Sequence, residues 1–222
     1  MKINHFATAM LFAIIISIFF ACTDSSPTDP GTSGSNGAAD INSQVYHFQG
    51  NYNDGSCSLD TPYNGSGVVK GAFLSGEGER EQILGLMDIG TVNNGKINLE
   101  FHTPEEEFLD YGIELRLYSN NEFIGRLFPM AADFSRDNDI IGVYFYFPED
   151  HKHKETWDLF PNQDVMFIND FDVKKGWNLI YEKNEHRDIN GKDVYTVIKM
   201  SNPDNILNGT ELKWALLDPE MH

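Results

Sequence analysis

Apolar side chains recur at every second position through much of this chain, and that period constrains its fold more than any other feature. Ile97, Leu99 and Phe101 alternate with polar neighbours. The same alternation recurs over residues 113–118, 193–200 and 211–216. Because successive side chains of an extended strand point to opposite faces, such runs predict antiparallel strands with one face on a core and one toward water.

Seven more stretches have the composition of strands. They span residues 45–49, 67–74, 83–92, 122–128, 140–147, 164–173 and 177–183. Asn-Gly or Asn-Asn pairs at 94–95, 120–121 and 190–191 separate neighbouring runs, where a tight hairpin turn needs positive φ. Helix signals are short: a capping-box spacing at 103–106 and a single-turn candidate at 202–209. The pattern predicts an all-β fold, an antiparallel β-sandwich of about 9–11 strands with one or two short helical turns, with a closed β-barrel as the alternative.

The chain opens with a short positive start and an uncharged apolar run. Lys2 precedes the run, which extends from Phe6 to Ala21 and is 16 residues long. A helix of that length measures about 24 Å, which is shorter than the roughly 30 Å hydrocarbon core of a bilayer. A helix that spans this core needs about 20 residues. The length therefore suits a secretory signal at residues 1–21 better than a permanent membrane span.

The end of this run resembles the lipobox of bacterial lipoprotein signals. Ala21 and Cys22 match that motif, while Phe19 stands where leucine is usual, a departure found in some bacterial groups. The resemblance implies cleavage before Cys22, diacylglycerol on its sulfur and a further acyl chain such as palmitate on the new amino terminus. Thr23 is not the aspartate that retains such proteins in the inner membrane of enteric bacteria, so a lipid-anchored place in the cell outer membrane is expected, facing the periplasm or the surface.

The sequence after Cys22 divides into a tether and one domain. Residues 22–44 are rich in glycine, proline, serine and threonine, and predict a lipid-anchored flexible linker with an end-to-end distance of roughly 25 Å. Residues 45–222 contain no further linker and are long enough for a single domain with its own core.

The net charge of −18 excludes one class of partner and leaves others open. Nucleic acid is excluded because its phosphates must be neutralised by lysine and arginine. Anionic lipid would also repel the domain, so contact with the membrane is expected through the lipid anchor rather than through a basic patch. The charge favours solubility, with a cation-binding, for example calcium-binding, surface as the alternative.

No catalytic signature occurs in the sequence: there is no Gly-x-Ser-x-Gly, His-Glu-x-x-His, phosphate loop or Cys-x-x-Cys. No catalytic residue or cofactor is therefore named. If Cys22 carries lipid, Cys57 cannot form an intrachain disulfide, and its polar surroundings without a neighbouring base predict a structural cysteine in a loop.

Two motifs are weak candidates for metal binding. His151 and His153 would point to one side of an extended segment and could seat a metal with a third ligand from His186, His102 or a carboxylate. The mixed charges of residues 149–155 favour a solvated hairpin tip instead.

The second motif is an aspartate cluster that resembles a calcium loop. Asp133, Asp137 and Asp139 precede Gly142, but Ile141 stands where such a loop needs an oxygen ligand. Turn formation is the favoured role, with calcium binding as the alternative.

Aromatic residues supply the candidate ligand-binding positions. Tyr144 and Tyr146 lie on a strand that is apolar on both faces, with Trp157 and Trp177 nearby in sequence. Such residues pack between strands in a core, or hold sugar rings and partner proteins where a sheet exposes them.

The leading hypothesis is a cell-envelope lipoprotein whose non-catalytic β-sandwich binds a glycan or an envelope protein. One alternative is a lipocalin-like carrier of a small ligand, although the Gly-x-Trp that opens that family's first strand is missing. Another is a polysaccharide hydrolase with two carboxylates roughly 5–9 Å apart.

The lipobox resemblance is tested by labelling cells with a tagged fatty acid. The wild-type chain should incorporate the label and Cys22→Ala should not, because the thiol is the acyl acceptor. Equal incorporation in both chains would contradict lipidation at Cys22.

Overall fold

Thirteen β-strands make up almost all of the regular structure. The computed structural model describes residues 42–51, 56–75, 82–109, 112–132, 139–160, 165–207 and 209–219. The strands are β1 Val45–Asn51, β2 Ser56–Pro62, β3 Gly67–Ser75, β4 Gln82–Asn93, β5 Lys96–Leu99, β6 Gly112–Ser119, β7 Glu122–Ala131, β8 Ile141–Phe147, β9 His151–Phe160, β10 Val165–Val173, β11 Gly176–Ile189, β12 Lys192–Met200 and β13 Leu212–Leu217. Two 3-10 helices, Glu106–Phe108 and Pro203–Asn205, are each three residues long. The second lies within the predicted helical turn at 202–209. The capping box at 103–106 was wrong, because the first helix begins only at Glu106 and its N-cap, Glu105, makes no side-chain hydrogen bond. Among the described residues, no helix is long and apolar enough to cross a membrane.

All thirteen strands belong to one open sheet, which confirms the all-β class. Its order is β2-β1-β13-β7-β6-β8-β11-β12-β10-β9, and β3 branches from β6 and continues through β4 to β5. The alternative prediction of a closed β-barrel was wrong, because the sheet is open across the described part of the chain. The sheet also differs from the expected antiparallel arrangement, because β1 pairs with β13 and β10 pairs with β12 in parallel. Strands β8 and β12 occupy the two edges of β11, and β10 pairs with the other edge of β12.

All eleven predicted strands are present, and the two that were not predicted are β2 and β9. Strand β9 is an edge strand, with Lys152 and Lys154 contacting Asp172 and Asp170 on β10 at 2.9 and 2.7 Å. Charged lysines are common on such edges because they discourage pairing with other chains. Because charged residues alternate with histidines here, the sequence lacks the apolar alternation that marks the other strands. The predicted hairpin tip at residues 149–155 is therefore wrong from His151 onward, where β9 begins.

The three predicted hairpin turns have the backbone that Asn-Gly and Asn-Asn pairs favour. The φ angles are 48° and 75° at residues 94–95, 51° and 66° at residues 120–121, and 58° and 78° at residues 190–191. Positive φ at both central residues matches the right-handed twist of the flanking strands.

The main core lies on one face of the sheet and extends across both of its halves. It contains buried Phe73, Leu117 and Trp214 from the first half and Leu179 and Ile198 from the second. The opposite face has two smaller apolar clusters, which include Phe128 and Met130 in one and Phe147, Val173 and Ile180 in the other. Strand β8 contributes to both faces, in agreement with the central position predicted from its apolar composition.

The second half of the sheet curls because β8 and β9 are close in sequence but distant in strand order. Three strands separate them in the sheet, yet only residues 148–150 connect them. The rings of Phe147 and His151 stack across that connection with centroids 6.4 Å apart. Asp150 fixes the connection by accepting hydrogen bonds from the Lys175 backbone N–H and the Lys174 ammonium, each at 2.9 Å, and these bonds hold the pKa of its carboxyl below the ordinary value.

The residues before β1 contact β5 and bring the branch of the sheet back toward its start. The backbone N–H of Asn42 donates to Ile97 at 2.8 Å, Ile97 donates to Ser43 at 3.0 Å, and Val45 donates to Gly95 at 2.8 Å. The only ladder contact there is an isolated bridge between Gln44 and Lys96. Residues 42–44 of the predicted linker are therefore hydrogen-bonded to the domain.

Gly95 and Gly191 give a matched test of close backbone approach, since both follow asparagine in a turn and have φ angles of 75° and 78°. A Cβ at Gly191 would meet nothing within 4 Å, whereas one at Gly95 would overlap the carbonyl oxygen of Tyr63. Gly191→Ala should cost about 1–2 kcal/mol from the left-handed backbone alone. Gly95→Ala should cost at least about 1 kcal/mol more through overpacking. Urea unfolding measures both, and equal losses would contradict the close approach.

Candidate functional site

Four aromatic rings meet where the two halves of the sheet join. Trp177 on β11 lies opposite Tyr146 on β8, and Phe101 reaches them from the segment after β5. The centroid of Phe101 is 4.6 Å from that of Tyr144 and 5.2 Å from that of Trp177, and Tyr146 meets Trp177 edge-on at 5.6 Å. We call Phe101, Tyr144, Tyr146 and Trp177 the aromatic cluster.

The members of the cluster differ in exposure, and this difference separates packing from binding. Tyr144 is only 4% exposed and belongs to the main core, so it acts in packing. Tyr146 and Trp177 are half-buried, so they remain partly accessible to solvent. Trp157 is not brought to the cluster by the strand order, because its strand β9 and β8 are separated by three strands. The side chain of Trp157 lies outside the described part of the structure.

A hydrogen bond fixes the position of the tryptophan. The indole N–H of Trp177 donates to the backbone carbonyl of His102 at 2.7 Å. The segment that supplies this carbonyl continues into three exposed acids, Glu105, Glu106 and Glu107, which line a shallow open depression. Two residues separate His102 from Glu105, so the Cα of Glu105 lies within about 10 Å of the Cα of His102. The sequence did not predict Phe101 as a site residue, because the alternation over residues 97–101 placed it in a strand. In the structure β5 ends at Leu99, and Phe101 lies in the segment that follows.

The two candidate metal-binding histidines do lie on one side of a strand. Their rings stack with centroids 5.8 Å apart, and Nε2 of His153 lies 2.7 Å from a carboxylate oxygen of Glu155. Within the described ranges, no three His, Cys, Asp or Glu side chains converge to hold a metal ion. His102 interacts with Trp177 through its carbonyl, and the side chain of His186 lies outside the described part. The pair therefore stacks between Phe147 and Phe171 along the face of β9.

The described part of the calcium-like motif has a structural role. Asp139 is buried, and its carboxylate accepts a hydrogen bond from the backbone N–H of Asn184 at 2.8 Å. A Cβ at Gly142 would meet the Leu179 side chain at 2.8 Å, so this glycine permits close packing. Asp133 and Asp137 lie outside the described residues, and calcium binding there stays a prediction. Cys57 lies on β2, half-buried beside Phe48 and Leu59, rather than in the predicted loop.

One polar row crosses the second half of the sheet and bears on the hydrolase alternative. Cross-strand pairing places Glu155, Asn169, Lys199 and Glu182 side by side on β9, β10, β12 and β11. Along the sheet the two glutamates are three strand spacings apart, roughly 14 Å between Cα atoms. A glycosidase needs its carboxylates roughly 5–9 Å apart. The buried Glu182 is also paired with Lys199 at 3.1 Å, so this row does not favour hydrolysis.

The hydrogen bond to the indole can be tested by Trp177→Phe. The variant keeps an aromatic ring but leaves the His102 carbonyl without its donor, which should lower the free energy of unfolding by about 1–2 kcal/mol. Urea unfolding followed by circular dichroism measures the loss. Tyr46→Leu, on β1 outside the cluster, is the control for removing an aromatic polar group. An unchanged midpoint for Trp177→Phe would contradict the anchoring role.

Comparisons with protein-family models, with curated proteins and with solved structures each found no match for this chain.

Proposed function

We propose that this protein is a cell-envelope lipoprotein whose β domain binds a glycan without catalysis. The observation that carries the proposal is the aromatic cluster, in which Tyr146 and Trp177 are held side by side and are each half-buried. Aromatic rings with one polar group bury a large apolar area while the hydroxyl or N–H keeps a hydrogen-bond partner, as a sugar ligand requires.

Rigidity supports binding by this cluster. Trp177 contacts Phe101 and Tyr146 and donates its indole N–H to a backbone carbonyl, so its ring has little freedom to lose when a ligand arrives. Preorganised side chains of this kind increase affinity because binding does not have to order them. Glu105 and Glu106, which follow His102 in the chain, are exposed, and their carboxylates can accept hydrogen bonds from hydroxyl groups.

The tether sets where the domain can act. Cys22 would hold the chain at the outer membrane, and the domain's first described residue is Asn42. The linker predicted from the sequence would have an end-to-end distance of roughly 25 Å, which would reach glycans close to the membrane surface.

An envelope protein is the second candidate partner, and the edge of β4 favours it. Ile83, Leu84 and Leu86 are 44–46% exposed there. Within the described chain, β5 pairs only with residues 90–93 of β4, so the outer edge of residues 82–88 has no strand partner. An apolar edge of this kind can add a strand from another protein.

The glycan proposal is tested with the full-length chain in detergent micelles on an array of bacterial envelope polysaccharides. At least one polysaccharide should bind, and Tyr146→Ala should weaken that binding about tenfold, as for a central contact residue. Tyr46→Leu should leave binding unchanged, and thermal unfolding should show that each variant is folded.

Two outcomes would contradict the proposal. One is an array without any bound glycan, and the other is binding that a folded Tyr146→Ala leaves at full strength. If Leu84→Lys instead abolishes capture of one purified envelope protein, the partner is that protein.

A further inference from the structure

Three cations lie in a row on the face of the sheet opposite the main core. Cross-strand pairing places Lys70 of β3 opposite Arg116 of β6, and Arg116 opposite Arg126 of β7. Like charges directly opposite each other destabilise a sheet. In a chain of net charge −18, this concentration of positive charge is not explained by overall composition.

A second row on the same face is aromatic. Tyr118 lies opposite Phe123, with ring centroids 5.6 Å apart. The Lys70 ammonium lies 5.8 Å from the centroid of Tyr118, and the Arg116 guanidinium lies 5.3 Å from that of Phe123. All of these side chains are half-buried. We call Lys70, Arg116, Arg126, Tyr118 and Phe123 the β3–β6–β7 face.

A buried carboxylate holds the two guanidinium groups in place. Glu114 is 4% exposed in its side chain, and its oxygens lie 2.6 Å from Nε of Arg116 and 3.7 Å from an Nη of Arg126. Asp88 contacts Lys70 at 3.1 Å and is largely exposed. Among the described residues, two acids, Glu114 and Asp88, contact these three cations, although the whole domain is acidic.

Local charge, rather than net charge, governs binding at this face. At physiological ionic strength the Debye length is about 8 Å, so exposed acids elsewhere on the domain are largely screened. A guanidinium group matches an oxyanion through paired N–H donors, and an adjacent aromatic ring offers an apolar surface for stacking. A ligand that satisfies both rows must therefore combine a ring with a negative charge.

We propose that the β3–β6–β7 face is a binding site for an acidic polysaccharide, whose sugar rings stack on Tyr118 and Phe123 while their oxyanions contact the cationic row. This site goes beyond the aromatic cluster, from which the sheet separates it: Tyr144 packs in the main core with Ile113, whereas Glu114 and Arg116 occupy the opposite face. Variants of one site should leave the other unaffected.

The experiment uses the full-length chain in detergent micelles with polygalacturonate and with its fully methyl-esterified form, which has the same rings without the charge. The charged polymer should bind at least about tenfold more tightly, in line with a lost charge-assisted contact. Raising NaCl from about 0.1 M to about 1 M shortens the Debye length from about 10 Å to about 3 Å, and should weaken binding severalfold. Dextran sulfate beside dextran distinguishes sulfate from carboxylate as the source of the oxyanion.

Matched variants locate the contact. Arg126→Gln and Phe123→Leu should each weaken binding of polygalacturonate about tenfold, and both leave Arg116 to hold the Glu114 carboxylate. Lys152→Gln removes one positive charge from the distant edge strand β9 and should have no effect. Lys70→Gln, which removes an exposed contact, provides a second variant if Arg126→Gln does not fold.

Equal binding of the charged and esterified polymers would overturn the proposal. So would an equal loss with Lys152→Gln, because binding would then follow net charge. If Tyr146→Ala loses polygalacturonate binding while Arg126→Gln keeps it, the acidic glycan binds at the aromatic cluster. That result would also overturn the proposal for the β3–β6–β7 face.

Discussion

The two halves of the sheet are held together by a short junction where β6, β7 and β8 meet. Within the described ranges, Gly112 and Ile113 of β6 pair with β8, and Met130 of β7 adds one more pair. Glycine is required there, since a Cβ at Gly112 would meet the Phe145 ring at 2.7 Å. Because so few backbone pairs join the halves, the shape of the molecule depends on side chains that pack across the junction.

The aromatic cluster supplies part of that packing, and this explains its two roles. Tyr144 pairs with Ile113 and lies in the main core, while Trp177 ties β11 to the segment between β5 and β6 through the His102 carbonyl. A site built on such a junction is rigid, since moving its rings would disturb both halves. A ligand on Tyr146 and Trp177 would contact β8 and β11 of the second half, next to Phe101 from the segment that follows β5.

The alternation of apolar residues predicted four of the strands, strand-like composition predicted seven more, and Asn-Gly and Asn-Asn pairs predicted the turns. The alternation failed at β9, where lysines protect an edge, and it could not reveal pairing partners. Nothing in a period of two shows that β10 joins β12 in parallel, since the period reports which face of a strand is buried and not which strand lies beside it. For the site, the sequence predicted Tyr146 and Trp177 as candidates. Phe101 is distant from them in sequence, so its contact with them could not be predicted. The cationic row could be identified only from the strand register, which places residues 70, 116 and 126 side by side.

The parallel pairing of β1 with β13 also bears on how the protein matures. Val45 lies beside Trp214, so the first strand completes its pairing only after almost the whole chain is present. Contacts between residues this far apart in sequence slow folding, because a long loop must close before they form. If the chain is exported from its amino terminus, β1 crosses the membrane first and cannot pair with β13 until the end of the chain has crossed. The interval between these two events is when the apolar strands are exposed to proteases and to aggregation, and a lipid anchor near β1 would confine that vulnerable intermediate to the membrane surface.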